Sequence, residues 1–244
     1  MILIYFALIL FFLIFLWHFT TLNWRDKYTL TFCFGRKGQG KSTLLARDAY
    51  EGLKENWTVY SQELLSFKIK DKVSHKKVVK STIPFEPDHI YDYTFPAGSL
   101  ILIDEASLIW SNRDFSLKSK QEQLKRTIEW FQQQRKLKCK VILYSVSFDI
   151  DKKIRDMCDR MVLVRKYFRV LSVGRILHRE PIVVHPLGDA PASIQEDILE
   201  EPPIKWVFGG IRVTFIPKWA KYFDSFRMVV DTSETTSSLS ADRP

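Results

Sequence analysis

The run Gly35-Arg36-Lys37-Gly38-Gln39-Gly40-Lys41-Ser42 narrows the fold more than any other feature of the chain, because of what flanks it. Before it, residues 28–34 (YTLTFCF) alternate as a buried strand does. After it, residues 42–55 carry apolar side chains at helical spacing. Strand, glycine-rich turn, helix is the context in which G-x-x-x-x-G-K-[ST] makes a phosphate cradle rather than a plain turn. Gly35, Gly38 and Gly40 let the backbone from Gly35 to Thr43 curl so that its N–H groups converge on anionic oxygens. The N-terminus of the following helix adds positive potential. In this pattern Lys41 reaches the β- and γ-phosphates of ATP, and Ser42 holds Mg²⁺.

A second element completes such a site. Residues 99–105 (SLILIDE) read as an apolar strand ending in two acids. Asp104, at the strand's C-terminal end, is placed to support the Mg²⁺ shell. Glu105 is placed to orient or deprotonate an attacking water.

Further along the chain, residues 57–61 and 141–146 read as strands and about 119–137 as a helix. A short helix over 150–158 and strands over 160–164 and 168–173 follow. Alternating strands and helices, with the cradle after the first strand, predict an α/β P-loop NTPase. Its sheet is mainly parallel, flanked by helices, with the site at the strands' C-terminal edge. Residues 27–186 form this domain. Residues 187–203, with five acids, three prolines and no base, read as an exposed linker or acidic surface helix. Residues 205–215 read as a hairpin turning at Gly209-Gly210, so 187–230 is a C-terminal extension. The polar stretch 231–244 reads as a disordered tail.

The N-terminus carries a different signal. Residues 1–17 contain no charge, and the first charged side chain is Arg25. About 20 apolar residues, at roughly 1.5 Å of rise each, cross a hydrocarbon core about 30 Å thick. No basic leader or small-residue cleavage site is present, so residues 1–22 read as an uncleaved transmembrane helix. Arg25, Lys27, Arg36, Lys37 and Lys41 against Asp26 place the N-terminus outside the cell and the ATPase domain in the cytoplasm. The location implied is the inner (cytoplasmic) membrane, in a single pass.

The formal net charge of +9 points to an anionic partner without naming it. Six lysines crowd residues 67–80 against Asp71, the pattern of a solvated loop or hairpin or, less commonly, of a nucleic-acid contact. Between Lys118 and Lys140 eight bases face two acids, giving a helix with one basic face open to solvent, acidic lipid or DNA. Cys33, Cys139 and Cys158 have no metal-ligand spacing and read as reduced thiols in a cytosolic compartment, Cys33 and Cys139 on or beside apolar strand-like runs. The five histidines are scattered and carry no catalytic assignment.

The order of these parts, with Gly98-Ser-Leu-Ile-Leu-Ile-Asp104-Glu105-Ala106, Gln132-Gln-Gln-Arg135 and Ile154-Arg155 to Arg165, resembles the N-terminal domain of the zonular occludens toxin family. That family is a branch of the FtsK–HerA-type ATPases that includes filamentous-phage assembly proteins. The resemblance covers about residues 28–175. It implies a membrane-tethered homo-oligomer, ring-forming, that hydrolyses ATP with Mg²⁺ to drive assembly or export of a filamentous or other single-stranded DNA phage. Its implied partners are coat proteins, single-stranded DNA or both. It also implies an inter-subunit role for Arg135. Where many relatives carry a glutamine sensor after the fourth core strand, this chain has Ser145, which either substitutes or leaves hydrolysis slow. The anchor precedes the ATPase domain rather than following it as in many phage assembly ATPases. Alternatives of the same or another class are a DNA-translocating or coupling ATPase of a plasmid or packaging system, and a nucleotide-gated membrane scaffold with little turnover. A small-molecule kinase is the weakest fit.

Overall fold

The computed structural model describes residues 5–15, 27–70, 75–111, 118–184, 193–200 and 211–222. Residues 5–15 are helical (α1), with exposed side chains. Among the described residues no helix is long and apolar enough to cross a membrane. Both ends of the expected span (1–4 and 16–22) lie outside those residues, as do Gly209-Gly210 and the tail 231–244.

The scaffold is a nine-stranded sheet. Its parallel part contains β1 (Leu30–Phe34), β2 (Thr58–Ser61), β5 (Ile83–Pro84), β6 (Ser99–Ile103), β7 (Lys140–Ser145) and β8 (Arg160–Tyr167). The spatial order is β8-β1-β7-β6-β2-β5. β1, β6 and β7, at the centre, are near-continuous apolar runs because both faces are covered. Alternation along each strand divides the side chains between two cores. Phe32, Ile101, Ile103, Val141 and Leu143 pack on one face, beneath α3 (Ala106–Ile109), α4 (Lys118–Gln133) and α5 (Lys152–Asp156). Cys33, Leu100, Leu102, Ile142 and Tyr144 pack on the other, against α2 (Lys41–Lys54).

Several expected elements take a different form. The strand expected over 168–173 is a turn at 168–170 joining a longer β8 to β9 (Leu171–Val184), antiparallel to it. The stretch 187–203, expected as linker or surface helix, contains β10 (Ser193–Glu200) paired with β9. A strand at a sheet edge needs no continuous apolar run, so composition alone hid it. Of the hairpin expected over 205–215, residues 211–215 form β11 (Ile211–Phe215), antiparallel to β9, and residues 205–210 lie outside the described residues. The helix expected to reach 137 stops at Gln133 and unwinds through turns in which Lys138 takes φ 56°. The lysine-rich stretch is a hairpin of β3 (Ser66–Lys70) and β4 (Lys77–Ser81). Phe67 and Ile69 anchor it to Tyr50, Trp219 and Tyr222. Trp219 sits on α6 (Ile216–Trp219), so the end of the described chain packs against the helix that follows the cradle.

Candidate nucleotide-binding site

The cradle opens at the C-terminal end of β1. Gly35 donates its N–H to the Ser145 carbonyl at 3.2 Å, and a Cβ here would stand 2.4 Å from the Val164 carbonyl oxygen. Only glycine passes between β7 and β8 at that point. Gly38 and Gly40 take φ of +75° and +89°, the left-handed turn that reverses the chain into α2. Arg36 and Lys37 stand exposed at the crest. Thr43 donates its hydroxyl to the Gly40 carbonyl at 2.7 Å, closing the first turn of the helix.

Two polar contacts from outside brace the loop. The Lys166 N–H donates to Gln39 Oε1 at 2.5 Å, and the Ser172 hydroxyl donates to the Gln39 carbonyl at 2.9 Å. Both come from the β8–β9 hairpin, and neither is visible without the pairing of those strands.

Lys41, only 6% exposed, arches over the loop and donates through Nζ to the carbonyls of Gly35 (2.8 Å) and Arg36 (3.2 Å). Burial lowers its pKa, and the charges of Glu105 and Asp104 pull it back up. The Ser42 hydroxyl stands 3.5 Å from Asp104 Oδ2. Asp104 is fixed on its other sides: its own N–H donates to Gln62 Oε1 at 2.6 Å, and its Oδ1 accepts the Glu105 N–H at 2.9 Å. Gln62 belongs to no motif, and its only trace in the sequence is its place directly after a parallel strand, at the edge where ligands bind. Burial pushes the Asp104 carboxyl up to about 6, despite the opposing hydrogen bond from the Glu105 N–H and the charge of Lys41. Glu105 holds φ 49°, a left-handed conformation unusual for a side chain of its size, as the chain breaks from β6 into α3.

A hydroxyl and a carboxylate this close form a hard-oxygen donor pair that fits Mg²⁺. Among the described residues no group of three or more His, Cys, Asp or Glu side chains could hold a metal by itself.

Lys41, Ser42, Asp104 and Glu105 therefore converge. Arg135 does not join them. It pairs with Asp159, whose Oδ2 accepts the Leu30 N–H at 2.8 Å, and so lies at the opposite end of β1 from the cradle. Ser145 lies beside the cradle, but its buried hydroxyl donates to the Ser147 carbonyl at 2.7 Å, and its carbonyl is the group that meets Gly35.

A parallel sheet with a glycine cradle after β1 and an acidic pair after β6 defines a P-loop NTPase fold. The sequence profile of the zonular occludens toxin (Zot) family matches residues 32–192, and the chain belongs to that family. No curated protein matches the sequence. Among solved structures, the chain is similar to the N-terminal domain of zonular occludens toxin from Neisseria meningitidis, at 15% identity and TM-score 0.48, covering 81% of this chain and 99% of that one. Flagellar accessory protein FlaH from Methanocaldococcus jannaschii aligns at 17% identity and TM-score 0.40, over 77% and 89% of the two chains. The genome packaging NTPase B204 of Sulfolobus turreted icosahedral virus 2, in complex with ATP-γS, aligns at 13% identity and TM-score 0.36, over 56% and 74%.

Proposed function

We propose that this protein is a membrane-anchored, ring-forming ATPase that powers assembly or export of a filamentous or other single-stranded DNA phage. The observation carrying the chemistry is the convergence of Lys41, Ser42, Asp104 and Glu105 at one strand edge. Lys41 exchanges its two carbonyl partners for β- and γ-phosphate oxygens. Ser42 and Asp104 would hold the cation, which would supply positive charge against the triphosphate. Glu105 accepts the proton of the attacking water as its oxygen bonds to the γ-phosphorus and the bond to ADP breaks.

The anchor reading is supported by the charge-free run 1–17 and by the way the chain enters the domain. Tyr28 leads into β1 at the N-terminal edge of the parallel strands, where its ring lies 6.0 Å from that of Trp57 and Lys27 lies over both. The nucleotide site lies at the other edge, so a tether at residue 27 leaves it facing away from the bilayer. Exposed Lys54, Lys136 and Lys138 share the tethered end, as suits an anionic inner leaflet.

A DNA-translocating motor is the second reading, favoured by Lys68, Lys70 and Lys77, which stand exposed on one face of the β3–β4 hairpin. A third, slow or absent turnover, is favoured by the Ser145 hydroxyl being committed to Ser147.

Reconstitution of the full chain into vesicles separates these readings. The phage-assembly reading expects carbonate-resistant membrane association and ATP turnover that Glu105→Gln stops without loss of ATP binding. Turnover raised by single-stranded DNA in a salt-dependent manner supports the second reading. Release of the chain by carbonate contradicts the anchor.

A further inference from the structure

The β8–β9 hairpin ends in an arrangement that folding alone does not explain. Phe168, at the turn, is 86% exposed, more than any other large hydrophobic side chain among the described residues. Phe168 and Arg169 hold φ of +49° and +59°. Two consecutive positive φ values suit Asn and Gly, and bulky side chains adopt them only against steric resistance. A sequence selected for the turn alone would not place Phe-Arg there.

The hairpin is also fixed to the cradle. Lys166 and Ser172, on its two strands, both hydrogen-bond Gln39. Gly40 packs so closely on Ser172 that a Cβ would stand 2.8 Å from the Ser172 Cβ. Phe168 lies two residues beyond Lys166 in the same hairpin, so its backbone is at most about 7 Å along the chain from that cradle contact. A nucleotide with its β-phosphate in the cradle must place its base at a comparable remove. Tyr167, its neighbour in sequence, and Phe34, at the end of β1, both have partners of their own. The Tyr167 hydroxyl accepts from Arg175 at 2.6 Å, and Phe34 packs edge-on against Phe148 at 5.0 Å. Lys166 and Arg169 flank Phe168 with positive charge, suited to the α-phosphate side of the same ligand.

We propose that Phe168, presented beside the phosphate cradle by the strained β8–β9 turn, is the stacking platform for the base of the bound nucleoside triphosphate. The inference rests on the cradle binding phosphate, and it adds a base-recognition residue to that site. A flat apolar ring favours the larger purine over the pyrimidine, since stacking scales with overlap.

The test titrates the full chain with three Mg²⁺-loaded ligands: a non-hydrolysable ATP analogue, its uridine counterpart and inorganic tripolyphosphate. Phe168→Ala should weaken the ATP analogue about tenfold, in line with alanine substitution at base–aromatic stacks, and leave tripolyphosphate unchanged. Phe168→Trp should preserve ATP affinity. Phe168→Asn should weaken it while raising the thermal midpoint, because Asn relieves the turn. The parent should bind the adenine analogue more tightly than the uridine one. Equal ATP affinity in parent and Phe168→Ala overturns the proposal. So does an equal loss of all three ligands, which would mark a structural effect on the cradle. A change confined to self-association also overturns it, by assigning the ring to a contact between copies of the chain. A parent that binds neither nucleotide nor tripolyphosphate overturns the cradle reading, and the base site with it.

Discussion

The guanidinium of Arg212 lies on the carboxylate of Asp48, two turns along the helix that starts at Lys41. Asp48 is 3% exposed and also accepts the Tyr144 hydroxyl at 2.6 Å, so a buried anion is answered from two sides. Next to it, Arg47 donates to the Val213 carbonyl at 2.6 Å. Together these contacts strap β11 to the cradle helix. Arg212→Ala removes the counter-charge and leaves Asp48 buried, which costs about 3–5 kcal/mol. Urea denaturation should show a lower midpoint with an unchanged slope. Replacing both partners, with Asp48→Leu and Arg212→Met, should cost less than the single change, since no orphaned charge remains.

The cradle glycines should differ in what they tolerate. At Gly38 the φ is positive but a Cβ meets nothing within 4 Å, so Gly38→Ala carries only the left-handed penalty of about 1–2 kcal/mol. At Gly35 the Cβ would collide with backbone, the Val164 carbonyl, which cannot swing away. Gly35→Ala should therefore lower the thermal midpoint further than Gly38→Ala and weaken triphosphate binding more. Scanning calorimetry and titration of both variants check the order.

Asp104 links stability to pH in a stated direction. Its folded pKa of about 6 lies above the ordinary 3.8, so the native state holds an extra proton between those values. Stability from this group is complete below about pH 3.8, and it is lost as pH rises through about 6. Without ligand at pH 7.5, Asp104→Asn should melt a few degrees above the parent, and below pH 4 the difference should vanish. The same variant should lose the Mg²⁺ dependence of nucleotide binding. In the parent, that dependence should strengthen as pH rises past 6. Melting curves with and without Mg²⁺·ATP across this range report both effects.

Arg135 pairs with Asp159 at the far end of β1, so it cannot reach the cradle of its own chain. Arg135→Ala should leave Mg²⁺·ATP affinity unchanged within about twofold, consistent with removal of a mostly exposed ion pair. A drop in turnover without a drop in affinity is the signature of an arginine acting on a neighbouring subunit. A loss of affinity contradicts the placement.

What the sequence made legible was local. The cradle, β6 and the acidic pair are consecutive residues, and the parallel strands announce themselves as apolar runs because both of their faces are buried. What it hid depends on pairing across the chain. Ser172 and Lys166 brace Gln39 only because β9 folds back on β8, and Arg212 reaches Asp48 across 164 residues. Asp48 did leave a trace, as an acid on the apolar face of α2 between Leu45 and Ala49. The same blindness made β10 look like a linker, since an edge strand can be acidic and half-polar. The Arg135–Asp159 pair, 24 residues apart in sequence, is likewise visible only once the chain is folded.

We infer that Lys41 belongs to a triphosphate site and not to a closed turn. Titration of the full-length chain with the Mg²⁺-loaded non-hydrolysable ATP analogue tests it, beside a Lys41→Ala variant shown by circular dichroism to be folded. The parent should show saturable one-site binding and the variant at least a tenfold loss, the scale of one charge-assisted contact to phosphate. Equal affinity in the two, or no binding by the parent, contradicts it.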